Sequence, residues 1–179
     1  MPPLLWTIGH SRHTAARLLD LLEGQGVSRL IDVRSVPYSR RHPQHNRERL
    51  AAALEGRGIA YHWEGEALGG RPDKAGRADL CGPDGAPDWG KVRAEPEFRE
   101  ALARLRRHAE ERPSAILCAE EDPRRCHRLH LVSAAWAEEV GEEIFHIRGN
   151  GRVETQKEVA PPLADDPQLA LFGVAPQGW

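Results

Sequence analysis

The sequence contains few cysteines, few lysines and almost no net charge, and each shortage narrows the class of protein. Three cysteines among 179 residues cannot complete a set of disulfide pairs, so we expect a reducing environment. The formal net charge of −2 gives no global electrostatic reason to bind nucleic acid. No apolar run approaches the roughly 20 residues that span a bilayer, and the N-terminus lacks a signal-peptide pattern. We therefore expect a cytoplasmic protein with no membrane partner.

The basic residues that are present are almost all arginine, with 22 Arg and 3 Lys. The planar guanidinium group suits bidentate contacts with phosphates and carboxylates. A GC-rich genome would produce the same bias, so the composition alone leaves both explanations open. The most basic stretch is 34–49, where five arginines and two histidines face the single acid Glu48.

Short apolar segments alternate with segments of helical periodicity along most of the chain. Five segments read as buried strands, at 4–8, 30–33, 59–63, 115–117 and 144–147. Apolar residues at helical spacing lie between them. This alternation predicts an α/β fold, with a mostly parallel five-stranded sheet, helices on both faces and a Rossmann-like arrangement. A chain of this length predicts one domain, at 1–159, followed by a flexible tail at 160–179.

Polar residues stand at or just beyond the ends of these predicted strands. In parallel sheets the carboxyl ends of the strands meet at one edge, and ligands bind outside that edge. The candidate residues there are His10, Ser11, Arg12, Asp32, Arg34, Ser35, Cys118, Glu120 and His146, together with Arg40, Gly69, Gly70 and Arg71 from the following loops. Their convergence is stronger evidence for a site than any single residue.

The segment 116–128, ILCAEEDPRRCHR, concentrates reactive side chains after an apolar strand. Asp122 and Pro123 are typical of a helix N-cap and first turn. That prediction places Cys126, His127 and Arg128 in the first turns of a helix, where free N–H groups favour anions.

Five blocks of sequence resemble the DUF488 family in order and spacing. They are TIGHS at 7–11, LIDVRSVPYSRRHPQHN at 30–46, GIAYHWEGEALGG at 58–70, LCAEEDPRRCHR at 117–128 and HIRGNG at 146–151. The resemblance covers roughly the first 150 residues. It implies an α/β fold and a shared cluster of polar residues, and because the family is one of unknown function it names no reaction.

The leading hypothesis is an enzyme that acts on a nucleotide or nucleic-acid substrate. Asp32 and Glu120 would serve as general acid or base, or would stabilise an oxocarbenium-like centre during cleavage of an N-glycosidic bond. The arginines expected to hold phosphate are Arg34, Arg40, Arg71, Arg124 and Arg128. Structural roles compete with this hypothesis, since Glu120 would equally pair with a neighbouring arginine and Asp32 would equally cap a loop.

Three other hypotheses remain open at this stage. Cys126, flanked by Arg125 and His127, is expected to have a lowered pKa and to act as a nucleophile or as a redox partner of Cys118. No cofactor is required by the leading hypothesis, but zinc or iron would suit the set Cys118, Cys126, His127, His10 and His146. A non-catalytic adaptor would use the arginines to bind nucleic acid or protein.

After Val159 the composition becomes rich in Pro and Asp, and this tail carries the peptide QLALF. The peptide resembles the motif that binds the bacterial sliding clamp. Four of its five positions match, namely Gln168, Leu169, Leu171 and Phe172, while Ala170 departs. The alternative is that these apolar side chains fold back onto the domain. Clamp binding would place the protein at replicating or repaired DNA.

Overall fold

A six-stranded sheet lies between two layers of helices. The computed structural model describes residues 5–160. The strands are β1 (Leu5–Gly9), β2 (Arg29–Asp32), β3 (Ala60–Trp63), β4 (Ser114–Cys118), β5 (Ile144–Ile147) and β6 (Val153–Thr155). They are ordered β3-β2-β4-β1-β5-β6, and all neighbours are parallel except β5 and β6. The predicted α/β class with a mostly parallel sheet is confirmed.

Helices connect most of the strands. The α-helices are α1 (Ala15–Glu23), α2 (Arg47–Glu55), α3 (Trp89–Ala94), α4 (Pro96–Glu111), α5 (Ala134–Glu139) and α6 (Gln156–Val159). A π-helical segment at Arg128–Ser133 leads into α5, and short 3-10 helices occur at Pro43–His45, Pro72–Ala75, Ala78–Leu80 and Pro123–Arg125. The Thr14 hydroxyl starts α1 by accepting a hydrogen bond from the Arg17 N–H.

The sheet separates two hydrophobic cores. Side chains alternate along each strand, so neighbouring residues face opposite layers. Leu30 and Leu117 pack with the leucines of α1 and α2, whereas Ile31 and Ile116 pack with α4 and α5. The expectation of helices on both faces is therefore met, and the central strands β1 and β4 are covered on both sides.

The prediction of five strands was wrong because β6 carries no apolar run. Val153–Thr155 is only half-buried and pairs antiparallel with β5 after a turn at Gly149 to Gly151. Gly151 has a φ of 90°, which suits glycine in such a turn. The Rossmann-like expectation is not confirmed, since β4 lies between β2 and β1 and the order differs from the 3-2-1-4-5-6 order of that fold.

The long segment 70–91, which links β3 to α3, packs against the domain. It contains two short 3-10 helices and a backbone bridge between Cys81 and Pro87. Leu80 is buried in the same core as Phe98 of α4. This anchoring holds the loop against the domain beside Ser35.

The single helix expected after β4 is interrupted. Asp122 caps only one 3-10 turn, with the Arg124 N–H donating to its Oδ1. Cys126 then adopts an extended conformation with φ −139° and ψ 140°, and the chain becomes helical again at His127, which has φ −58° and ψ −23°. His127 and Arg128 therefore lie in the first turn of this helix, as expected, whereas Cys126 is the extended residue just before it. Short π-helical segments such as 128–133 are frequent at functional sites.

Two further predictions concern a membrane and the sliding clamp. Within residues 5–160, no helix combines the length and the apolar composition that crossing a membrane requires. The peptide at 168–172 lies outside the described residues.

Candidate functional site

The connections that follow the neighbouring strands β1 and β4 run in opposite directions along the sheet. After β1 the chain passes through α1 toward β2 on one face, and after β4 it passes through α5 toward β5 on the other. Ligands in open α/β sheets bind outside the carboxyl ends of strands at such a switch point. Here Gly9 lies opposite Cys118, so the residues that follow both strands are adjacent.

The backbones beyond these two strands lie unusually close together. The N–H groups of His10 and Ser11 donate to the carbonyls of Cys118 and Ala119 at 3.0 and 2.8 Å. Ser11 has a φ of 44°, the only positive φ of a non-glycine residue among residues 5–160. Such conformations concentrate at functional sites, so this junction is a candidate on backbone grounds alone.

Three side-chain atoms that are able to bind a metal ion or act as a nucleophile lie close together at the end of β4. The Cys118 Sγ lies 3.5 Å from the His127 Nδ1, and the Cys126 Sγ lies 3.9 Å from the same nitrogen. All three atoms lie within 4.8 Å of one another. We call Cys118, Cys126 and His127 the Cys–His cluster. Both cysteines are buried, and His127 is partly exposed.

The orientation of the His127 ring is set from outside the cluster. Its Nε2–H donates to the Val33 carbonyl at 3.1 Å, which leaves the lone pair of Nδ1 facing the two sulfur atoms. Gly70 packs against the other side, where an added Cβ would lie 2.5 Å from the His127 Cγ. Glycine at position 70 therefore makes room for the ring.

The two thiols differ in acidity because they share a hydrogen bond. The hydrogen bond from Cys118 lowers the pKa of the Cys126 thiol well below its usual value, with help from His127. The same hydrogen bond and burial raise the pKa of the Cys118 thiol. The Arg128 N–H also donates to the Cys126 Sγ at 3.5 Å. Cys126 thus has the lowered pKa expected from sequence, but Cys118 is the main cause.

Asp32 and Arg34 form a buried bidentate pair beside the cluster. The Arg34 Nε and Nη2 donate to Oδ1 and Oδ2 of Asp32 at 2.8 and 2.6 Å. The Tyr61 hydroxyl donates to Oδ2 at 2.8 Å, and Asp32 is fully buried. The remaining donors of Arg34 reach the His45 carbonyl and the His10 Nε2. Both side chains are therefore engaged within the protein.

Two stacked histidines complete this network. The rings of His10 and His45 lie 4.4 Å apart between centroids, and both are buried. The His10 Nδ1–H donates to the Ser11 carbonyl at 2.9 Å, so its Nε2 accepts from Arg34. Burial and the Arg34 guanidinium lower the pKa of His10 to about 3. His10 is neutral at physiological pH.

Arg128 begins a second buried network, which leads away from the cluster. It donates to the carbonyls of Glu120 and Glu121 and, through Nε, to the Thr7 hydroxyl at 3.2 Å. That hydroxyl donates to the His146 Nδ1 at 2.8 Å, and the His146 Nε2–H donates to Gln156. Burial lowers the pKa of His146 to about 4. Arg128 thus holds the loop after β4 in place.

The adjacent acids Glu120 and Glu121 have opposite environments. Glu121 accepts both Nε and Nη2 of Arg148 at 3.0 and 2.9 Å, and the Gly149 N–H at 2.9 Å. These contacts lower the pKa of Glu121 to about 2. The Glu120 side chain is exposed and has no hydrogen-bond partner in the described part of the chain.

The remaining predicted residues lie in loops, and most of them are exposed. Ser35 accepts a hydrogen bond from the Arg71 N–H at 3.0 Å, and an added Cβ at Gly69 would lie 2.1 Å from the Ser35 Oγ. Arg12, Arg40 and Arg71 are exposed, and their guanidinium groups have no partner within residues 5–160. Arg124 instead contacts Asp122 and the Glu158 carbonyl.

Two recesses flank this edge of the sheet. An open pocket of about 400 Å³ is lined by Glu121, Arg148 and the turn 149–154, including Arg152 and Glu154. A cavity of about 50 Å³ lies beside Ser35, Gly69 and Arg71 on the other side. Only the first has the volume of a small-molecule site.

The structure brings together three of the five residues proposed as metal ligands. Cys118, Cys126 and His127 converge, whereas His10 and His146 belong to the two separate networks. Sequence reasoning missed Tyr61, His45 and Glu121, which support the site from within. Tyr61 lies in the block 58–70 on β3, opposite Leu30 of β2, and its hydroxyl reaches Asp32 two residues further along that strand.

Comparisons with known proteins identify the family without naming a reaction. The family model described as "Domain of unknown function DUF488" matches residues 14–135, more than half of the chain. The matched range includes β2, the Cys–His cluster and Glu120. Comparison with curated proteins and comparison with solved structures give no significant match. The chain therefore belongs to the DUF488 family.

Proposed function

We propose that this protein is an enzyme that acts on a nucleotide or nucleic-acid substrate at the carboxyl edge of β1 and β4. The observation that carries this proposal is the state of Glu120. Its carboxylate is exposed, yet its backbone is immobilised because its carbonyl accepts from Arg128 and lies against Gly9. An added Cβ at Gly9 would lie 1.7 Å from that carbonyl oxygen. Because its oxygens have no partner in the described part of the chain, this carboxylate is able to exchange a proton with an external substrate.

Glu120 suits proton transfer better than the other carboxylates nearby. Asp32 accepts four hydrogen bonds and is fully buried, and Glu121 is held by Arg148. Asp32 has no exposed oxygen, and both oxygens of Glu121 accept hydrogen bonds from Arg148, which holds that carboxylate in an ion pair. Of the two acids expected from sequence, Glu120 is therefore the proposed catalytic residue, and Asp32 is a positioning residue for Arg34 and His10.

The exposed arginines support a phosphate-bearing substrate. Arg12 follows Ser11, and Arg71 follows Gly70, which packs on His127. Because their guanidinium groups have no partner within residues 5–160, they can bind phosphate without breaking an internal ion pair. Arg152 lines the open pocket beside Glu121. These basic groups thus follow or precede strand ends at the same edge of the sheet as Glu120.

Cleavage of an N-glycosidic bond is the proposed reaction. Water adds to the anomeric carbon, the bond from that carbon to the base nitrogen breaks, and the leaving base takes up a proton. Glu120 would either donate the proton that the leaving base takes up or accept the proton that the attacking water loses, with solvent exchanging the other proton. The arginines would hold the phosphates and so orient the sugar.

A base-release assay tests this function. The full chain is incubated with DNA carrying deaminated or alkylated bases and with free nucleotides, and released base is measured by liquid chromatography. We expect release by the wild type, a loss of about 100-fold or more in Glu120→Gln, and no change in Glu142→Gln. Glu142 is an exposed acid just before β5, at the opposite edge of the sheet.

Other outcomes of the assay favour other functions. Release by neither the wild type nor Glu120→Gln, together with DNA binding, would support a non-catalytic adaptor. Base release that survives Glu120→Gln but is lost in Cys126→Ser would show that the Cys–His cluster, and not Glu120, is catalytic.

We also propose that the peptide at 168–172 recruits the protein to the bacterial sliding clamp. The support is the sequence alone, with Gln168, Leu169, Leu171 and Phe172 matching the motif. A pull-down with purified clamp should retain the wild type and lose the double variant Leu171→Ala, Phe172→Ala. A matched control, Leu163→Ala with Val174→Ala, changes tail residues outside the peptide and should still bind. Equal retention of all three proteins would contradict recruitment.

A further inference from the structure

We propose that Cys118, Cys126 and His127 bind one zinc ion. The inference goes beyond the proposed function, because a zinc ion at this cluster neither requires Glu120 to be catalytic nor follows from it. The ligands would be the two Sγ atoms and the His127 Nδ1, two soft sulfurs and one imidazole, a set that selects zinc among common cellular divalent ions.

The two sulfur–nitrogen distances are close to the edge length of a coordination tetrahedron. With Zn–S bonds of about 2.3 Å and a Zn–N bond of about 2.0 Å, tetrahedral geometry places a sulfur and a nitrogen about 3.5 Å apart. The two sulfur–nitrogen distances in the cluster are 3.5 and 3.9 Å. All three atoms lie within 4.8 Å of one another. An ion can therefore be placed among them with little movement of the side chains.

The surroundings of His127 are those of a metal ligand. Metal-binding histidines almost always donate their second N–H to a carbonyl or carboxylate, which fixes the ring and the tautomer. The His127 Nε2–H donates to the Val33 carbonyl at 3.1 Å, so the lone pair on Nδ1 faces the thiols. Gly70 holds the ring from the other side.

The surroundings of the sulfurs favour the thiolate form that binds metals. The Arg128 N–H donates to the Cys126 Sγ at 3.5 Å. The Arg128 guanidinium is fully buried nearby and pairs with no carboxylate in the described part of the chain. Positive charge of this kind stabilises thiolates.

The site takes three ligands from this chain and leaves one position of a tetrahedral ion for water or a substrate atom. Structural zinc sites use four protein ligands, whereas catalytic sites use three. His10 and His146 are each engaged at both ring nitrogens, so neither supplies the fourth ligand without breaking a buried network. The cluster therefore has the ligand count of a catalytic site.

Metal analysis of the full chain tests this proposal. The protein is purified without an affinity tag or chelator, and its metals are measured by mass spectrometry. We expect about one zinc ion per chain in the wild type and less than about a tenth of that in Cys126→Ser and His127→Gln. Cys81→Ser is the matched control, because Cys81 is the third cysteine and lies in the 70–91 loop outside the cluster; it should retain full zinc content.

A second measurement guards against misfolded variants. Metal-free wild-type protein is titrated with Co²⁺, and thiolate ligation should produce a sulfur-to-cobalt charge-transfer band that Zn²⁺ then removes. Absence of that band, iron in place of zinc, or a Cys118–Cys126 disulfide in the freshly purified protein would overturn the proposal. These measurements need no substrate, so a zinc-loaded protein without base release would refute the proposed reaction alone.

Discussion

Arg34 lies across Asp32 so that two guanidinium nitrogens meet two carboxylate oxygens, with both side chains buried. The distances are 2.8 Å from Nε to Oδ1 and 2.6 Å from Nη2 to Oδ2. Arg34 also donates to the His10 Nε2 and to the His45 carbonyl, so the pair holds both buried histidines in place. It therefore belongs to the framework that positions the site.

Removing the charge of Asp32 should strongly destabilise the fold. Asp32→Asn leaves the buried Arg34 guanidinium without a counter-charge, and such changes typically cost about 3–5 kcal/mol. The measurement is the free energy of unfolding in urea. Glu110→Gln is the control, because Glu110 pairs with Arg106 at the surface and its loss should cost less than about 1 kcal/mol. If Asp32→Asn lowers the free energy of unfolding as little as Glu110→Gln does, water reaches the Arg34 guanidinium.

The ion pair of Glu121 with Arg148 should make stability depend on acid pH. The pKa of Glu121 is about 2 in the folded protein and near 4.5 ordinarily, so below pH 4.5 the unfolded chain takes up a proton that the folded protein does not. The stabilisation is complete above about pH 4.5 and is lost as the pH falls toward about 2. Unfolding measured across this range should show the difference between wild type and Glu121→Gln shrinking. A constant difference would contradict the assignment.

His10 should remain neutral well below the ordinary pKa of histidine. Its pKa is about 3, against 6.5 ordinarily, so acid protonates the unfolded chain first. The contribution of neutral His10 to the free energy of unfolding is fully present above about pH 6.5 and declines as the pH falls toward about 3. Nitrogen NMR at pH 5 should find the neutral ring with the proton on Nδ1, and His10→Gln identifies its signals. A charged ring at that pH would show that the Arg34 contact is absent in solution.

Filling the space at Gly70 should disturb His127. In Gly70→Ala the new Cβ would lie 2.5 Å from the His127 Cγ, so the ring must turn and lose its hydrogen bond to Val33. We expect zinc affinity to fall by about 10–100-fold, the usual effect of losing such a supporting contact. Gly56→Ala is the control, since its nearest neighbour lies 3.5 Å away. Unchanged affinity in Gly70→Ala would mean that His127 is not a ligand.

Much of the fold follows from local patterns in the sequence. Runs such as Leu30–Ile31 and Ile116–Leu117 are apolar on both faces, which predicts central parallel strands covered by helices. Thr14 and Gly24 delimit α1 through capping contacts that are local in the chain. The short strand β6 escaped prediction, since its pairing with β5 and not its composition makes it a strand.

The interrupted helix after β4 is a feature that local sequence patterns predict only in part. Asp122 and Pro123 do begin a helical turn, as their types predict. The chain then extends at Cys126, where the backbone and side chain bring the sulfur to Cys118 and His127. Arg128 turns back to the carbonyls of Glu120 and Glu121, a contact that no helix-start rule contains.

The sequence by itself determined which edge of the sheet carries the polar residues, because each apolar strand ends in them and parallel strands end together. Only the tertiary structure decided the role of each residue. Glu120 and Glu121 are identical neighbours, yet Glu121 pairs with Arg148 from another strand end while Glu120 stays exposed. The cluster likewise needs Val33 to turn His127 toward two cysteines. Such partners lie far apart in the chain, and the strand order that brings them together is set by packing of the whole sheet.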